Sequence, residues 1–577
     1  MLKLLKNLRW KEWLLLLISG GLIGLQVWLE LTLPDYTANI IKELYKIQYD
    51  INPDINTILQ NGGLMLVCAF GSLISAIIVG FLVARVAARL GFFIREKIYN
   101  KVQGFSLSEI NSFSTSSLIT RTTSDVRNIT MIVSIGTQVL IKAPIMAVWA
   151  ILKIINKGWQ WSTATAVAIA IMLVIIGIIM ILVLPRFKKI QTLTDNLNRV
   201  TRENLTGIRV VRASNAEMFE NEKFEKCNNE LTKTNLFIGK VLALLSPVMS
   251  LIASGLNLAI YWIGANTVYN DVTYSNMAIF TQYAMMVIFS FIMLVIVFML
   301  LPRAIVSAKR INEVLKTKNS IISGQYKDEK SLSGSVVFEN VSFKYPDADE
   351  YVLKNISFDA KEGETIAFIG STGSGKSTLI NLIPRLYDAT EGNIFIDGIN
   401  VKEYDSEILN KKIGYIPQKG VLFSGTVRSN INFGDNNSSE ETMREALNIA
   451  QADFVDKMPN GIDSAISQGG TNVSGGQKQR LSIARAIARK PEIFIFDDSF
   501  SALDYKTDKK LRNALKDKTQ NATKFIVAQR IGTIKDADKI IVLDNGIMVG
   551  IGRHEQLLKD CPVYQEIALS QLSKEEL

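Results

Sequence analysis

Six apolar stretches, near residues 13–33, 63–84, 132–155, 162–184, 241–266 and 277–301, dominate the first three hundred positions. Crossing about 30 Å of hydrocarbon takes roughly 20 residues of helix, and each stretch is long enough. Lipid offers the backbone no hydrogen-bond partner, so such segments satisfy their own N–H and C=O groups as helices. The N-terminal half is therefore expected to be a polytopic α-helical membrane bundle. The first stretch, Trp13–Leu33, is too long for the core of a cleaved leader and reads as the first span.

An even number of spans returns the chain to its starting side. Arg85, Arg89, Arg95, Lys97, Lys101, Arg121 and Arg127 crowd the first long loop, and Arg186, Lys188, Lys189, Arg209 and Arg212 the second, whereas 267–276 holds no Lys or Arg. Basic residues stay on the cytoplasmic side, so the N-terminus, both long loops and the C-terminal half are expected in the cytosol of a cell membrane. Lys42, Lys46, Lys153 and Lys157 fall on the other side; acidic neighbours accompany the first two, and 153–157 runs against the scheme. The net charge of +10 is thereby accounted for by membrane topology, and no nucleic-acid partner is needed. Both long loops are helix-patterned, as in Ser106–Asp125 and Asn198–Phe224.

At 577 residues the chain exceeds what one core can organise. Residues 1–318 form the membrane part, 319–335 a Gly-, Ser- and Lys-rich linker, and 336–577 a soluble domain. In the soluble domain short apolar runs, Val336–Phe338, Thr365–Ile369, Ile413–Ile416, Ile493–Phe496, Lys524–Val527 and Ile540–Val542, alternate with helical stretches. Continuously apolar strands between helices predict an α/β domain around a largely parallel sheet covered on both faces. Cys68, Cys227 and Cys561 have no metal-like spacing, and the single histidine, His554, excludes a multi-histidine metal site.

The chemistry lies in Gly370-Ser371-Thr372-Gly373-Ser374-Gly375-Lys376-Ser377, between a predicted strand and a predicted helix. Glycines let the backbone curl until its N–H groups and the helix N-terminus face phosphate oxygens. Lys376 is placed to neutralise β/γ-phosphates and Ser377 to bind Mg²⁺, with Thr378 next in line, so ATP and Mg²⁺ are the expected ligands. Asp497, closing the strand Ile493–Phe496, is the second candidate Mg²⁺ group.

Val473-Ser474-Gly475-Gly476-Gln477, some twenty residues before Asp497, resembles the signature motif of the ABC transporters. The resemblance spans the whole chain, since six spans followed by one such domain is the layout of exporter-type half-transporters. It implies an ATP-hydrolysing translocase working as a dimer. Tyr345 corresponds to the aromatic that stacks on adenine, and Gln418 to the glutamine touching Mg²⁺ and the attacking water. Ser474, Gly475, Gly476 and Gln477 would meet the γ-phosphate held by the opposite subunit, and Asp504 matches the loop joining the two ATP sites. Thr115–Leu118 and Asn215–Glu220 match in position the helices that rest on the ATP-binding domains.

Three positions depart from the family. Asp498 stands where a glutamate polarises the attacking water, Gln529 where a switch histidine is expected, and Gln468 where a glutamate precedes the signature. A carboxylate one methylene shorter sits about an ångström back, and misplacement on that scale costs about 100-fold. Retaining Lys376, Ser377 and Asp497 while altering both groups around one γ-phosphate points to a degenerate, weakly hydrolysing site. The expected assembly is a heterodimer with a second half-transporter, exporting amphipathic drugs or lipids across the bilayer. A homodimeric exporter or lipid flippase, and an ATP-gated regulator or channel subunit, are the alternatives. In the membrane half Lys142, followed by Pro144, either lines the transport pathway or snorkels, and Glu30, Gln282 and Tyr283 are weaker candidates.

Overall fold

The computed structural model describes residues 4, 6, 8–49, 52–155, 159–267, 272–327, 334–346, 348–434 and 438–571. Lys157, residues 268–271 of the predicted outer segment and residues 328–333 of the predicted linker lie outside them. Contacts divide the chain into two compact units, residues 1–101 with 116–316, and residues 102–115 with 317–577.

Among the described residues the first unit contains six helices long and apolar enough to span a membrane: Trp10–Tyr45, Ile55–Gln103, Thr115–Ile155, Trp159–Thr206, Glu217–Asn266 and Asn276–Lys316. At 1.5 Å per residue a helix of about 49 residues runs roughly 70 Å, more than twice the hydrocarbon thickness, so the long helices continue beyond the bilayer. Ile23, Val27, Leu31, Val79, Val83, Met146, Ala150, Phe280 and Tyr283 make the shared core. Leu17, Phe81, Ile181 and Leu251 stay 65–75% exposed on the outer surface, the disposition of side chains solvated by lipid.

Several charged groups at span depth are paired. Lys142 Nζ lies 2.8 Å from Glu30 Oε1, which also accepts from Gln26 at 2.9 Å and Ser72 at 3.1 Å. Lys153 bridges Asp35 at 2.6 Å, and the Tyr283 hydroxyl donates to Asp35 at 2.9 Å and to the Leu31 carbonyl at 2.8 Å. Lys142 and Glu30, singled out separately in the sequence, are thus one ion pair joining the first and third spans. Lys153, at odds with the charge pattern of the loops, has its compensating carboxylate in Asp35.

The second unit is built on β1 (Val336–Phe343), β2 (Leu353–Ala360), β3 (Thr365–Gly370), β4 (Glu391–Ile396), β5 (Ile399–Asn400), β6 (Ile413–Ile416), β7 (Gly425–Thr426), β8 (Ala465–Ile466), β9 (Ile493–Asp497), β10 (Thr523–Val527), β11 (Lys539–Asp544) and β12 (Ile547–Gly552). The principal sheet has the order β12-β11-β3-β10-β9-β6 and is parallel except for β12. Side chains alternate along β3: Ile366 and Phe368 enter one core, Ala367 and Ile369 the other, and both are fully buried. An antiparallel sheet, β2-β1-β4-β5, closes one of these cores with Phe338, Phe358 and Ile394.

One expectation needs correction. The helix that joins the second unit is Leu107–Phe113, not the segment Thr115–Leu118, which belongs largely to the third span's helix. Ser106 and Glu109 cap Leu107–Phe113 reciprocally, Leu107 packs on the domain core, and Asn111 donates to the Tyr387 hydroxyl at 3.2 Å. Part of the expected linker is held against the second unit. Gly324 and Tyr326 donate to the Tyr404 and Glu403 carbonyls at 2.9 Å each, and Asp405 donates back to Tyr326, so this stretch lies against the domain as an added edge.

Candidate nucleotide site

The cavity that collects nine of the predicted residues opens at the C-terminal ends of β3 and β10, the edge of a parallel sheet where ligands bind. It has a volume of about 410 Å³ and is walled by Gly370, Ser371, Thr372, Gly373, Lys376, Ser377, Gln418, Asp498 and Gln529, together with Ile567, Ser570 and Gln571. Gly375 has φ 93°, and a Cβ there would press on the Leu353 side chain at 2.7 Å, so both conformation and packing demand glycine. Gly373 has φ 87° with open space around its missing Cβ, which leaves room beside its N–H for a phosphate.

Lys376 reaches back over the loop, donating to the Gly370 carbonyl at 2.9 Å, the Ser371 carbonyl at 2.7 Å and the buried Ser374 hydroxyl at 3.3 Å. Burial pulls its ammonium below the ordinary lysine range, while Asp498 and Asp497 oppose that shift. An ammonium held only by neutral loop oxygens is poised to exchange them for a charged acceptor.

Ser377 Oγ donates to Asp497 Oδ1 at 2.7 Å. Burial pushes the Asp497 carboxyl above the usual range, against the Ser377 bond that lowers it. Among the described residues no group of three His, Cys, Asp or Glu side chains could hold a metal alone. One hydroxyl and one carboxylate are hard oxygen donors that suit Mg²⁺ when phosphates and water supply the remaining ligands, and a cation there would offset the cost of the buried Asp497 charge.

Beside this pair, Asp498 has φ 46°, a left-handed backbone that Asp tolerates better than longer residues. Its Oδ2 accepts from Gln418 Nε2 at 3.1 Å and from Gln529 Nε2 at 2.9 Å. Burial raises its pKa above the ordinary carboxylate value, and the Gln418 bond pulls the other way. The two departures noted in the sequence, Asp498 and Gln529, are therefore hydrogen-bonded to each other.

Tyr345 is half-buried, edge-on to Phe343 and Tyr387 at centroid distances of 5.0 and 5.3 Å, and its hydroxyl lies 3.0 Å from Thr378 Oγ1. That fixes the ring near the loop helix without placing it in the cavity wall. The signature residues are not in the wall either. Ser474 caps helix Gly475–Ala488, accepting from Gln477 N–H at 3.3 Å while Gln477 Oε1 accepts from Ser474 N–H at 2.8 Å, and Ser474 and Gly475 face solvent. Gly476 backs onto the Ala502 carbonyl, where a Cβ would lie at 3.4 Å. Asp504 caps helix Tyr505–Lys518, accepting from Thr507 N–H at 3.0 Å, and that N–H lowers its pKa. Gln468 opens a short turn, Gln468–Gly470.

Ile567, Ser570 and Gln571 escaped sequence reading, because they lie beyond every recognisable motif and carry no pattern of their own.

Comparison with known proteins agrees with both halves. The ABC transporter transmembrane region family matches residues 13–293 and the ABC transporter family matches residues 353–501. An ABC transporter ATP-binding protein of Mycobacterium bovis is 40% identical over 518 residues, 88% of this chain and 87% of that protein. An ATP-dependent lipid A-core flippase of Syntrophus aciditrophicus is 31% identical over 509 residues, 88% and 84% respectively. The solved structure of a bacterial Atm1-family ABC exporter with ATP bound has the same fold, with a TM-score of 0.81 at 23% identity over 98% of this chain and 99% of that one. Six apolar helices and a phosphate-loop domain, matched by both families, make this chain a multi-pass member of the ABC transporters with the exporter fold.

Proposed function

We propose that the chain is one half of a heterodimeric exporter of amphipathic compounds, drugs or lipids, and that its own ATP site holds nucleotide better than it cleaves it. The observation that carries this reading is the double amide contact on Asp498 Oδ2. A general base needs a free lone pair within reach of water. Here two amide donors occupy the lone pairs of one oxygen, on a side chain already one methylene short.

The signature Ser474–Gln477 lies outside the cavity wall, which supports a reading in which a second domain supplies it to the ATP held here. This chain's own intact signature in turn completes the partner's site. Lys376 and the loop N–H groups bind the phosphates, and Ser377, Asp497 and Gln418 would hold Mg²⁺, which screens phosphate charge when bound. ATP that contacts both domains only when they are closed favours closure. Helix Leu107–Phe113, which lies in the chain between the second and third spans, carries that movement to the bundle on this reading. At the second long loop Met218 and Phe219 stand 88% and 67% exposed at the start of a polar helix, an apolar tip suited to docking on the partner's domain. On this reading both termini are cytosolic, which the basic residues of the two long loops support.

A homodimeric lipid flippase is the second reading, favoured by the retained carboxylate at Asp498 and by the name of the Syntrophus relative. Steady ATP turnover by the chain purified alone, abolished by Asp498→Asn, supports the homodimer and overturns the first reading. Negligible turnover alone, restored by a co-expressed half-transporter and insensitive to Asp498→Asn, supports the heterodimer.

A further inference from the structure

The C-terminal helix Pro562–Leu569 is anchored in the domain core by Tyr564 and Ala568, both fully buried, and His554 Nδ1 lies 2.7 Å from the Tyr564 hydroxyl. The anchored helix therefore delivers Ser570 and Gln571, just past its end, to a fixed place. Ser570 Oγ donates to the Ile567 carbonyl at 2.7 Å and Gln571 N–H to the Ala568 carbonyl at 3.1 Å, which extends the helical turn to Gln571. There the Gln571 amide donates from Nε2 to the Gln529 carbonyl at 2.7 Å and accepts on Oε1 from Ile531 N–H at 2.9 Å. One side chain thus holds both ends of a three-residue segment, in the manner of a neighbouring strand.

That segment is where the site is tuned. Gln529 Nε2 donates to Asp498 Oδ2, so the direction of the Gln529 side chain depends on where its backbone is held. No β-ladder holds it, because β10 ends at Val527. Among the described residues the backbone hydrogen bonds it receives from elsewhere in the domain are Gln571's two, the residue before it being held by Ala528 N–H on the Phe368 carbonyl at 3.2 Å, and Ile567, Ser570 and Gln571 also wall the cavity. We infer that Gln571 is a positioning residue of the ATP site, acting through the Gln529 backbone to aim the Gln529 amide at Asp498. Nothing in the family's motifs extends to this position. The inference rests on reading the cavity as an ATP site.

The test is a double-mutant cycle on the full-length chain, reading the dissociation rate of a fluorescent ATP analogue with Mg²⁺ present. Losing one net hydrogen bond changes such a rate by about two- to tenfold. Gln529→Ala and Gln571→Ala are each expected to change it by a factor in that range, and the double variant by no more than Gln529→Ala alone. Gln571→Glu keeps the acceptor for Ile531 N–H but loses the donor to the Gln529 carbonyl, so it is expected to fall between wild type and Gln571→Ala. Additive effects in the cycle, or an unchanged rate in Gln571→Ala, overturn the proposal. Lys376→Ala serves as the control on the site itself: nucleotide affinity untouched by that change defeats the ATP-site reading and not the role of Gln571.

Discussion

Gln529 and Asp498, 31 positions apart in the chain, meet across 2.9 Å at the ends of the adjacent strands β10 and β9, with Gln529 as donor. An imidazole and a longer carboxylate at these positions would meet differently, so the two departures form one altered pair.

The pair predicts a gain of function. Asp498→Glu carries the carboxylate one methylene farther toward the phosphates, and Gln529→His removes an amide donor from it. Together they are expected to raise single-turnover hydrolysis at this site about 10- to 100-fold. The left-handed φ of 46° disfavours the longer residue, so a small drop in thermal midpoint should accompany the gain. An unchanged hydrolysis rate in a variant that still binds ATP counts against the reading.

Asp498 also predicts a trade of stability for charge. Burial raises its folded pKa above the unfolded value near 3.9, so its contribution is present below the unfolded value and lost as pH rises through the folded one. At pH 7 the ionised group therefore costs stability. Asp498→Asn, whose side-chain carbonyl still accepts from both glutamines, is expected to raise the thermal midpoint of the full chain at pH 7. The difference should shrink as pH falls toward 4, and a lower midpoint at pH 7 would show that the charge is compensated.

Much of this arrangement was legible in the sequence because its signals are local. Apolar length marked the six spans, and a strand, a glycine turn and a lysine marked Gly370–Ser377. Continuous apolar runs such as Ile493–Phe496 marked strands buried on both faces. The antiparallel sheet β2-β1-β4-β5 was less visible, since alternation such as that of Leu353–Ala360 reads as any half-exposed segment. Distance in sequence hid the rest. Nothing at Glu30 announces Lys142, 112 positions later, and nothing at Gln571 announces Gln529. The segment Thr115–Leu118 carried helical pattern as well as Leu107–Phe113 does, and only tertiary contact with Tyr387 distinguishes the two.

The Glu30–Lys142 pair predicts non-additive mutations. Each side chain is about one-fifth exposed, and a charge stripped of its partner at span depth is costly. Lys142→Met is expected to destabilise the full chain in lipid by about 1–3 kcal/mol, read as a lower thermal midpoint. Adding Glu30→Gln should recover most of the loss, because the amide still pairs with Gln26 and Ser72 and leaves no charge. Equal midpoints for the single and double variants would mean that the pair is not coupled.

His554 predicts an acid-sensitive C-terminal helix. Burial holds its pKa below the ordinary value, Lys535 adds to that shift, and Glu555 and Asp536 oppose it. A folded value below the unfolded 6.5 means that stability is fully present above about pH 6.5 and is lost as pH falls toward the folded value. With its proton on Nε2 the neutral ring accepts from the Tyr564 hydroxyl at Nδ1, and protonation removes that acceptor from the helix that holds Gln571 at the site. In His554→Gln the amide oxygen replaces the acceptor and nothing titrates. Between pH 7.5 and 5.5 the wild-type midpoint is expected to fall more steeply than the variant's, and parallel curves would place the acid sensitivity elsewhere. Because this is the chain's only histidine, its imidazole resonances in a magnetic-resonance titration report the same pKa without assignment. A value at or above 6.5 would remove the linkage altogether.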